Sequence, residues 1–302
     1  MNPEKDRESE KKVLKAQSGG KRLDKYMAGI LDFSRSKIKR EIKKGRVLVN
    51  NAPASPSRTL KKGDRIEYSI KPPHRDHIIA QDIPLDIIAQ SEDYVIINKP
   101  PDLVVHPAPG NPDGTLLNGL MNRYETPYLV HRLDKDTSGV MIAALNENAA
   151  RLIKKQFKKK KVKKIYLTLV EGIIKEDAGQ IDVPIKRDSR DRTKMRAGWT
   201  GARKSATRFR VKRRLNNATY VEAYPLTGRT HQIRVHFSHM GHPVLGDRKY
   251  GSPPFGAHPK GTSYRAPRQM LHAWQVSFED PSSGKRVSYK VVPPKDFQEL
   301  LS

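Results

Sequence analysis

The segment from His131 to Val140 places acidic, basic and hydroxyl side chains together between two apolar stretches. Within it, Asp134 is flanked by Arg132 and Lys135. Nearby cations favour the charged form of a carboxyl group, so we expect Asp134 to stay ionised. An ionised carboxylate can act as a nucleophile or as a base. From spacing alone, an Arg–Asp pair that merely joins two loops is the alternative interpretation.

A second polar cluster runs from Leu226 to His236. It contains Arg229 and Gln232 at a turn that is predicted to enter a helix. Such a turn can bind a carboxylate or a phosphate, because backbone N–H groups and a guanidinium are available there. The two clusters together could therefore hold an acidic group and an anion-binding group in one site.

A large domain must position these clusters. Short β-rich runs alternate there with turns, at Tyr94–Asn98, Leu103–Val105, Val140–Ala144, Ile165–Val170, Thr207–Val211 and Tyr220–Ala223. Helices are predicted around 145–158 and 230–240, and Gly241 is placed to end the second one. Irregularly spaced strands with few helices predict an α+β fold, in which a mixed, mainly antiparallel β-sheet is flanked by helices and loops.

A smaller α+β unit, residues 21–71, precedes this domain. Its first helix is predicted from apolar residues on one face, at Leu23, Tyr26, Met27, Ile30 and Leu31. Ser34 can cap a second helix, whose apolar face is Ile38 and Ile42. Gly45 is placed to end that helix.

The remaining boundaries follow from composition. Alternating apolar residues predict short strands at 47–49 and 66–70. The polar, aperiodic residues 1–20 predict a disordered tail. A proline pair predicts a linker over 72–80, so that the large domain spans 81–302. The first residues alternate acids and bases, which is typical of neither a signal peptide nor a transit peptide, and we expect a cytoplasmic protein.

The chain carries a large excess of positive charge. Lys plus Arg is 59 and Asp plus Glu is 32 in 302 residues, a net charge of +27. This charge attracts polyanions, and two dense basic segments, 36–46 and 154–164, favour nucleic acid. A membrane would need a bulky apolar face opposite the basic one, or a run of ~18 apolar residues to span it. The side chains predicted to bind nucleic acid around the first segment are Arg35, Lys37, Lys39, Arg40, Lys43, Lys44 and Arg46.

Cofactor motifs are lacking. The chain has no glycine-rich loop ending in Gly-Lys-Ser/Thr and no dinucleotide fingerprint. It also has no cysteine, which excludes a thiol nucleophile, thiolate-bound zinc and iron–sulfur clusters. Four histidines lie close together, at His231, His236, His239 and His242. Without a helical pattern of two histidines and an acid, they favour hydrogen bonds to RNA or to the backbone, and we expect no metal and no cofactor.

The chain closely resembles the RluA-type pseudouridine synthases over roughly residues 85–295. The signature His-Arg-Leu-Asp-x-x-Thr-Ser-Gly is present without a mismatch at 131–139. Four further strings follow the family's order: 98–107, 164–172, 228–236 and 270–273. Residues 21–71 resemble the small RNA-binding domain of ribosomal protein S-four. This pairing is similar to the branch of the family that acts on large-subunit ribosomal RNA.

The resemblance implies roles for individual residues. Asp134 matches the essential carboxylate, which either attacks covalently or removes a proton. Arg229 matches the arginine that pairs with this aspartate, and Arg132 matches the one that fills the space left by the target base. Tyr166 matches the aromatic residue beneath the base and Leu271 the apolar residue on its other side, although core packing is a compatible role for Leu271.

The resemblance thus implies an isomerase that turns specific uridines of RNA out of their stack and converts them to pseudouridine, with large-subunit ribosomal RNA as the expected substrate. The same chemistry on transfer RNA is one alternative. A non-enzymatic RNA-binding factor for ribosome assembly is another, since the charge and the small domain suit it equally well. We expect a monomer, because no obvious apolar interface helix is seen.

Overall fold

The computed structural model describes residues 11–31, 33, 35–70, 78–108, 110–251 and 266–302. The chain forms two compact units, Met1–His77 and Ile78–Ser302. The boundary between them falls within the linker predicted over 72–80, of which residues 72–77 lie outside the described part.

The smaller unit packs two helices on a four-stranded sheet. Its elements are β1 (Lys12–Lys15), α1 (Leu23–Ile30), α2 (Arg35–Lys43), β2 (Val47–Val49), β3 (Ala52–Pro53) and β4 (Arg65–Tyr68). The strand order is β1-β4-β2-β3. The apolar face expected for α2 is buried, and that expected for α1 is buried except at Ile30, which is 51% exposed at the end of the helix. Met27, Ile38 and Ile66 are fully buried in a common core. The predicted cap Ser34 lies outside the described residues.

The prediction of a disordered tail over 1–20 is wrong for its described second half. Strand β1 pairs antiparallel with β4, with Lys12 opposite Tyr68 and Lys15 opposite Arg65. Leu14 and Ala16 alternate toward the core, where Ala16 is buried. This edge strand is short, and Val13 on its outer face is apolar but 51% exposed, so the sequence shows no clear alternation of apolar and polar residues. Residues 1–10 lie outside the described part.

The larger unit is built on one extensive sheet. Its elements are β5 (Asp86–Gln90), β6 (Tyr94–Lys99), α3 (Leu116–Arg123), β7 (Tyr128–Leu129), β8 (Ser138–Ala144), α4 (Glu147–Lys158), β9 (Lys163–Glu171), β10 (Ala178–Ile181), β11 (Ile185–Arg187), β12 (Met195–Ala197), β13 (Thr207–Leu215), β14 (Ala218–Pro225), α5 (Gln232–His239), β15 (Leu271–Glu279), β16 (Arg286–Lys290) and α6 (Lys295–Gln298). The main path of the ten-stranded sheet is β10-β13-β14-β9-β15-β8-β6-β5. β7 pairs with β8, β16 pairs with β15, and β11 and β12 form a separate hairpin.

The predicted fold class is confirmed. The ladders of the large sheet are antiparallel except between β8 and β15, which pair in parallel at His272 opposite Ser138 and Ala273 opposite Gly139. The sheet is therefore mixed and mainly antiparallel. Its central strand β8 is buried along its whole length, as expected of a strand covered on both faces. Among the described residues, no helix combines the length and the apolar character that crossing a membrane requires.

The close approach of β8 to β15 depends on Gly139. Its φ is +115°, a conformation that L side chains rarely adopt. A Cβ at this position would stand 2.2 Å from the carbonyl oxygen of Ala273. The glycine therefore lets the loop before β8 enter the middle of the sheet.

The prediction of a strand at Leu103–Val105 is wrong, because this segment is a loop whose carbonyls accept hydrogen bonds from Lys99 and from the start of α3. The fully buried ammonium of Lys99 donates to the carbonyls of Pro100, Leu103 and Lys135, at 2.6, 2.9 and 2.8 Å. Burial lowers the pKa of Lys99 to about 7. One side chain thus ties the loop after β6 to the loop before β8, and local β-propensity gave no sign of it.

Candidate active site

A cleft of about 1340 Å³ opens beside the middle of the large sheet. It is lined by the loop before β8, the first half of β9, the end of β14 and the turn into α5. The structure brings to this cleft all five residues predicted to act on the substrate: Arg132, Asp134, Tyr166, Arg229 and Leu271. These residues come from four separate segments of the sequence, and the fold brings them together in one cleft.

Asp134 stands on a well-anchored loop with its carboxylate accessible. The backbone N–H of Thr137 donates to the Asp134 carbonyl at 3.1 Å, which closes a turn. Gln269 donates to the hydroxyl of Thr137 at 2.7 Å, and Arg268 donates to the carbonyl of Asp136 at 3.0 Å. The Asp134 side chain itself is 19% exposed, so a reactant in the cleft can reach it.

The arginine that pairs with Asp134 is Arg234, which corrects the expectation placed on Arg229. Nη1 of Arg234 donates to Oδ2 of Asp134 at 2.9 Å. Arg229 lies in the turn before α5, where its Nε donates to the carbonyl of Lys204 at 3.2 Å. Helix α5 begins only at Gln232, so the arginine on the first helical turn faces the carboxylate. Two arginines five residues apart could not be told apart by sequence.

Arg234 is held from behind by Asp247, a residue that sequence reasoning missed. Nε and Nη2 of Arg234 donate to the two oxygens of Asp247 at 2.6 and 2.8 Å. Burial alone would lower the pKa of Arg234, but the hydrogen bonds and charges of Asp247 and Asp134 outweigh it and raise the pKa. The bidentate pair fixes the plane of the guanidinium and leaves its third nitrogen for Asp134. Asp247 belongs to none of the motifs singled out in the sequence.

Tyr166 and Leu271 occupy adjacent central strands. Tyr166 on β9 lies opposite Ala273 of β15 and Ala223 of β14, so small side chains flank it on both neighbouring strands. Burial, and then the charge of Asp134, raise the pKa of the Tyr166 phenol. Leu271 at the start of β15 is buried in the core and also borders the cleft.

Arg132 has a different setting from the other four residues. It is exposed, and within the described part of the chain we find no hydrogen bond or ion pair that involves its side chain. A cation so placed at the wall of the cleft can change position without breaking internal contacts.

The histidines of the site have distinct environments. His131 accepts the backbone N–H of Ile142 through Nε2 at 2.9 Å, and burial lowers its pKa to about 3, so it is a neutral structural side chain. His231 borders the cleft, and its Nε2 lies 3.8 Å from Oδ1 of Asp134. Nδ1 of His231 lies 2.7 Å from the hydroxyl of Tyr250. Across the described ranges, no group of three acidic or histidine side chains is arranged to hold a metal ion.

Lysines follow one wall of the cleft. They are Lys158, Lys160, Lys163 and Lys164. Burial lowers the pKa of Lys164 to about 8, and its Nζ comes within 3.8 Å of where a Cβ on Gly228 would stand. The second basic segment of the sequence therefore contributes to the cleft itself.

Of the basic residues predicted to bind nucleic acid in the smaller unit, five contact other side chains of that unit, and Lys43 and Lys44 lie at the end of α2. Arg35 and Lys39 lie 2.9 and 3.8 Å from buried Asp24, and Arg46 lies 2.8 Å from buried Glu41. Arg40 also contacts Glu41, at 3.3 Å, and the Nζ of Lys37 lies 4.4 Å from the centre of the Phe33 ring. Lys43 and Lys44 are at the end of α2, where Lys44 is exposed. Several of these cations thus also stabilise their own unit.

Comparisons with known protein families agree with this architecture. Residues 93–239 match the family described as RNA pseudouridylate synthase, and residues 21–66 match the S4 domain. The first match contains both the loop of Asp134 and the helix of Arg234.

Individual relatives extend the match to nearly the whole chain. An RNA pseudouridine synthase of Aquifex aeolicus, described as uncharacterized, is 38% identical, and the alignment covers 97% of each chain. A protein of Neisseria meningitidis named ribosomal large subunit pseudouridine synthase D is 38% identical over 94% of this chain and 78% of the relative. The structure of human RNA pseudouridylate synthase domain containing 1 aligns with a TM-score of 0.58 and 32% identity, covering 71% of this chain and 86% of that one.

The chain therefore belongs to the RNA pseudouridine synthase family, which confirms the family resemblance of its motifs. It is an isomerase that acts on RNA, with an S4 domain at its N-terminal end.

Proposed function

We propose that this enzyme converts uridines of large-subunit ribosomal RNA to pseudouridine and that Asp134 is its essential carboxylate. The observation that carries the proposal is the accessible Asp134 carboxylate, held by Arg234 in a cleft large enough for an extruded nucleotide. The names of relatives such as the Neisseria protein support the choice of ribosomal RNA. A ribosomal substrate would place the enzyme in the cytoplasm, and we expect it to act as a monomer.

The reaction begins when the bond between uracil N1 and ribose C1′ breaks. The electron pair of that bond leaves with the uracil ring. Asp134 then either bonds to C1′ or takes the proton from C2′, and both routes need a carboxylate within contact distance of the sugar. After the ring turns, C5 bonds to C1′; in the first route the Asp134–C1′ bond breaks as this bond forms, and in the second Asp134 returns its proton to C2′. C5 then loses its proton and N1 gains one, so the product is an isomer of the uridine. The hydrogen bond from Arg234 holds Asp134 in one orientation through these steps.

Tyr166 and Leu271 are proposed to hold the uracil between them. A base gains ~1–3 kcal/mol from stacking on an aromatic side chain. The small neighbours of Tyr166 on both adjacent strands, Ala223 and Ala273, leave room over its ring. The target base must first leave its stack at a cost of a few kcal/mol.

Arg132 and Arg229 are proposed to contact the RNA around the target. The exposed guanidinium of Arg132 can enter the stack that the base leaves, because it is planar and also donates hydrogen bonds. Arg229, in the turn before α5, is placed to bind a phosphate at the edge of the cleft. The exposed cations of α2 would contact phosphates elsewhere on the RNA without selecting a base.

A direct assay tests the proposal. Transcripts of large-subunit ribosomal RNA are incubated with the wild type and with Asp134→Asn, and pseudouridines are mapped. We expect site-specific conversion by the wild type and at least a ~10³-fold lower rate for the variant, because the reacting carboxylate is gone. Asp177→Asn, which changes an aspartate with an 88% exposed side chain, is the matched control and should behave as wild type.

Equal yields from wild type and Asp134→Asn would end the catalytic assignment. Transfer RNA is tested in parallel. Conversion of transfer RNA with none in ribosomal RNA would overturn the assignment of substrate while leaving the chemistry in place.

A further inference from the structure

His231 occupies an unusual backbone position beside Asp134. It has φ 55° and ψ 21°, the left-handed region, immediately before α5. Such a conformation is strained for a non-glycine residue and has to be held by the surrounding structure. The ring borders the cleft with Nε2 3.8 Å from Oδ1 of Asp134, a separation too long for a hydrogen bond. The two groups therefore border the same cleft without a hydrogen bond between them.

The hydrogen bonds of Tyr250 favour a proton on Nε2 of His231. The phenolic oxygen of Tyr250 accepts the backbone N–H of Met195 at 2.8 Å. Its hydroxyl proton is then available for Nδ1 of His231, 2.7 Å away. A neutral imidazole has one N–H, so a ring that accepts at Nδ1 presents N–H at Nε2. The Nε2–H group thus lies on the side of Asp134.

Burial of the His231 ring keeps it neutral near pH 7. Burial lowers the pKa of His231, and Arg234 and Lys249 act in the same direction. Asp134 and Asp247 act in the opposite direction but do not outweigh burial. The ring is a neutral donor, held also by the edge of the Tyr250 ring, whose centre is 5.6 Å from its own.

We propose that Nε2–H of His231 donates a hydrogen bond to a carbonyl oxygen of the target uracil as the bond between the base and the sugar breaks. This inference rests on the proposed function. The electron pair of the N1–C1′ bond spreads onto the carbonyl oxygens of the departing uracil, so a fixed donor there gains strength in the transition state. No proton leaves His231 in this step, and both possible actions of Asp134 generate the same uracil anion.

The test compares His231→Phe, which keeps a ring without a donor, with His231→Gln, whose amide can donate from a similar position. The substrate is a transcript of large-subunit ribosomal RNA. We expect His231→Phe to lower kcat about 100-fold with KM within about threefold, the pattern of a missing donor to developing charge. His231→Gln should recover at least part of the activity. His239→Phe, an exposed histidine of the same helix, should retain wild-type kcat.

Tyr250→Phe and nitrogen NMR test the tautomer independently of turnover. Long-range proton–nitrogen spectra of the wild type should show His231 protonated at Nε2 and unprotonated at Nδ1, and Tyr250→Phe should weaken that preference. An Nδ1–H tautomer in the wild type, or an unchanged kcat in folded His231→Phe, would refute the inference. A wild type that modifies no RNA would refute the proposed function instead, and the NMR result would still stand.

Discussion

At the scale of single residues, the site depends on one guanidinium that lies between two carboxylates. Arg234 is 6% exposed and contacts Asp134 on one side and Asp247 on the other. Asp247 has no exposed side-chain surface, and its Oδ1 also accepts the N–H groups of Lys249 and Tyr250 at 2.9 and 3.2 Å. Asp247 is therefore a positioning residue for the ion pair of Asp134, and it orders the segment that carries Tyr250.

Asp247→Asn should weaken both activity and stability. The amide has nearly the same shape but lacks the charge, which leaves a buried guanidinium half-compensated. Breaking a buried ion pair lowers the free energy of unfolding by about 3–5 kcal/mol. Because Asp134 still contacts Arg234 in this variant, we expect a decrease near the lower end of that range. Urea denaturation measures it, and kcat should fall at the same time.

Asp177→Asn serves as the control for this variant, because the Asp177 side chain is 88% exposed and its ion pair with Arg214 should contribute under about 1 kcal/mol. An Asp247→Asn protein with wild-type unfolding free energy and wild-type kcat would contradict the positioning role.

At the scale of elements, the loop of Asp134 is placed by the β8–β15 contact and by hydrogen bonds from the residues just before β15. Gly139 allows the two strands to approach, and Arg268 joins the loop at Asp136 to α6 through a pair of hydrogen bonds with Asp296, at 2.6 and 2.9 Å. The last helix of the chain thus contributes to the position of a loop far from it in sequence.

Gly139→Ala should disrupt this arrangement. The new methyl group would meet the Ala273 carbonyl oxygen at 2.2 Å and would also force an alanine into φ +115°. We expect the free energy of unfolding of the large unit to fall by at least about 3 kcal/mol, the combined effect of overpacking and backbone strain. Thermal and urea unfolding measure the change.

Gly29→Ala is the contrasting variant. Gly29 lies inside α1, and a Cβ there would have nothing within 4 Å. This change should stabilise the smaller unit by about 0.5–1 kcal/mol. A Gly139→Ala protein as stable as wild type would show that the two strands need no such close approach.

Periodicity predicted the elements that bury a full face, and it failed where one distant contact decides the structure. The helices with Ile38 and Ile42, and with Ala149, Ala150 and Ile153, were found because each buries a stripe of apolar residues. Local β-propensity predicts a strand at Leu103–Val105, but the segment is a loop. Its Leu103 carbonyl accepts a hydrogen bond from the side chain of Lys99 and not from a neighbouring strand.

The same limit applies to the site. Motifs located Asp134 and Tyr166, which line the cleft as expected. The partner of Asp134 depends on where α5 begins, and Arg229 and Arg234 differ only in that respect. Asp247 and Tyr250 lie outside the motifs, so only the packed fold brings them to Asp134.

At the scale of the whole molecule, the surplus of positive charge includes a dense group of exposed cations on and just after α4. Helix α4 buries Ala149, Ala150 and Ile153, and its other faces carry exposed cations, Arg151, Lys154 and Lys155, followed by Lys159. Like charges four residues apart, such as Lys155 and Lys159, destabilise a helix by a few tenths of a kcal/mol. Bound phosphates would relieve this repulsion, which favours α4 as an RNA-binding surface.

Replacing four of these cations should weaken binding of RNA without affecting the chemical step. We expect Arg151→Gln/Lys154→Gln/Lys155→Gln/Lys159→Gln to raise the Kd for ribosomal RNA. The slope of log Kd against log salt should fall by ~0.7–0.9 for each phosphate that the variant no longer binds. Filter binding at several salt concentrations measures the slope, and kcat at saturating RNA should stay unchanged.

The matched control removes the same charge elsewhere. Lys175, Lys285, Lys290 and Lys295 are exposed and lie outside both α4 and the cleft, so their replacement by glutamine should leave the slope near that of wild type. Equal slopes for the two quadruple variants would exclude α4 from the RNA-binding surface.

The guanidinium between two carboxylates has a consequence for how an RNA strand enters. Asp134, Arg234 and Asp247 together carry a formal charge of −1, although the chain as a whole carries +27. The lysine-lined wall therefore attracts the phosphodiester backbone, whereas the group formed by Asp134, Arg234 and Asp247 offers a phosphate no net attraction and suits an uncharged pyrimidine. Charge alone would favour a nucleotide orientation in which the phosphate lies against the lysine-lined wall and the base lies toward the floor of the cleft.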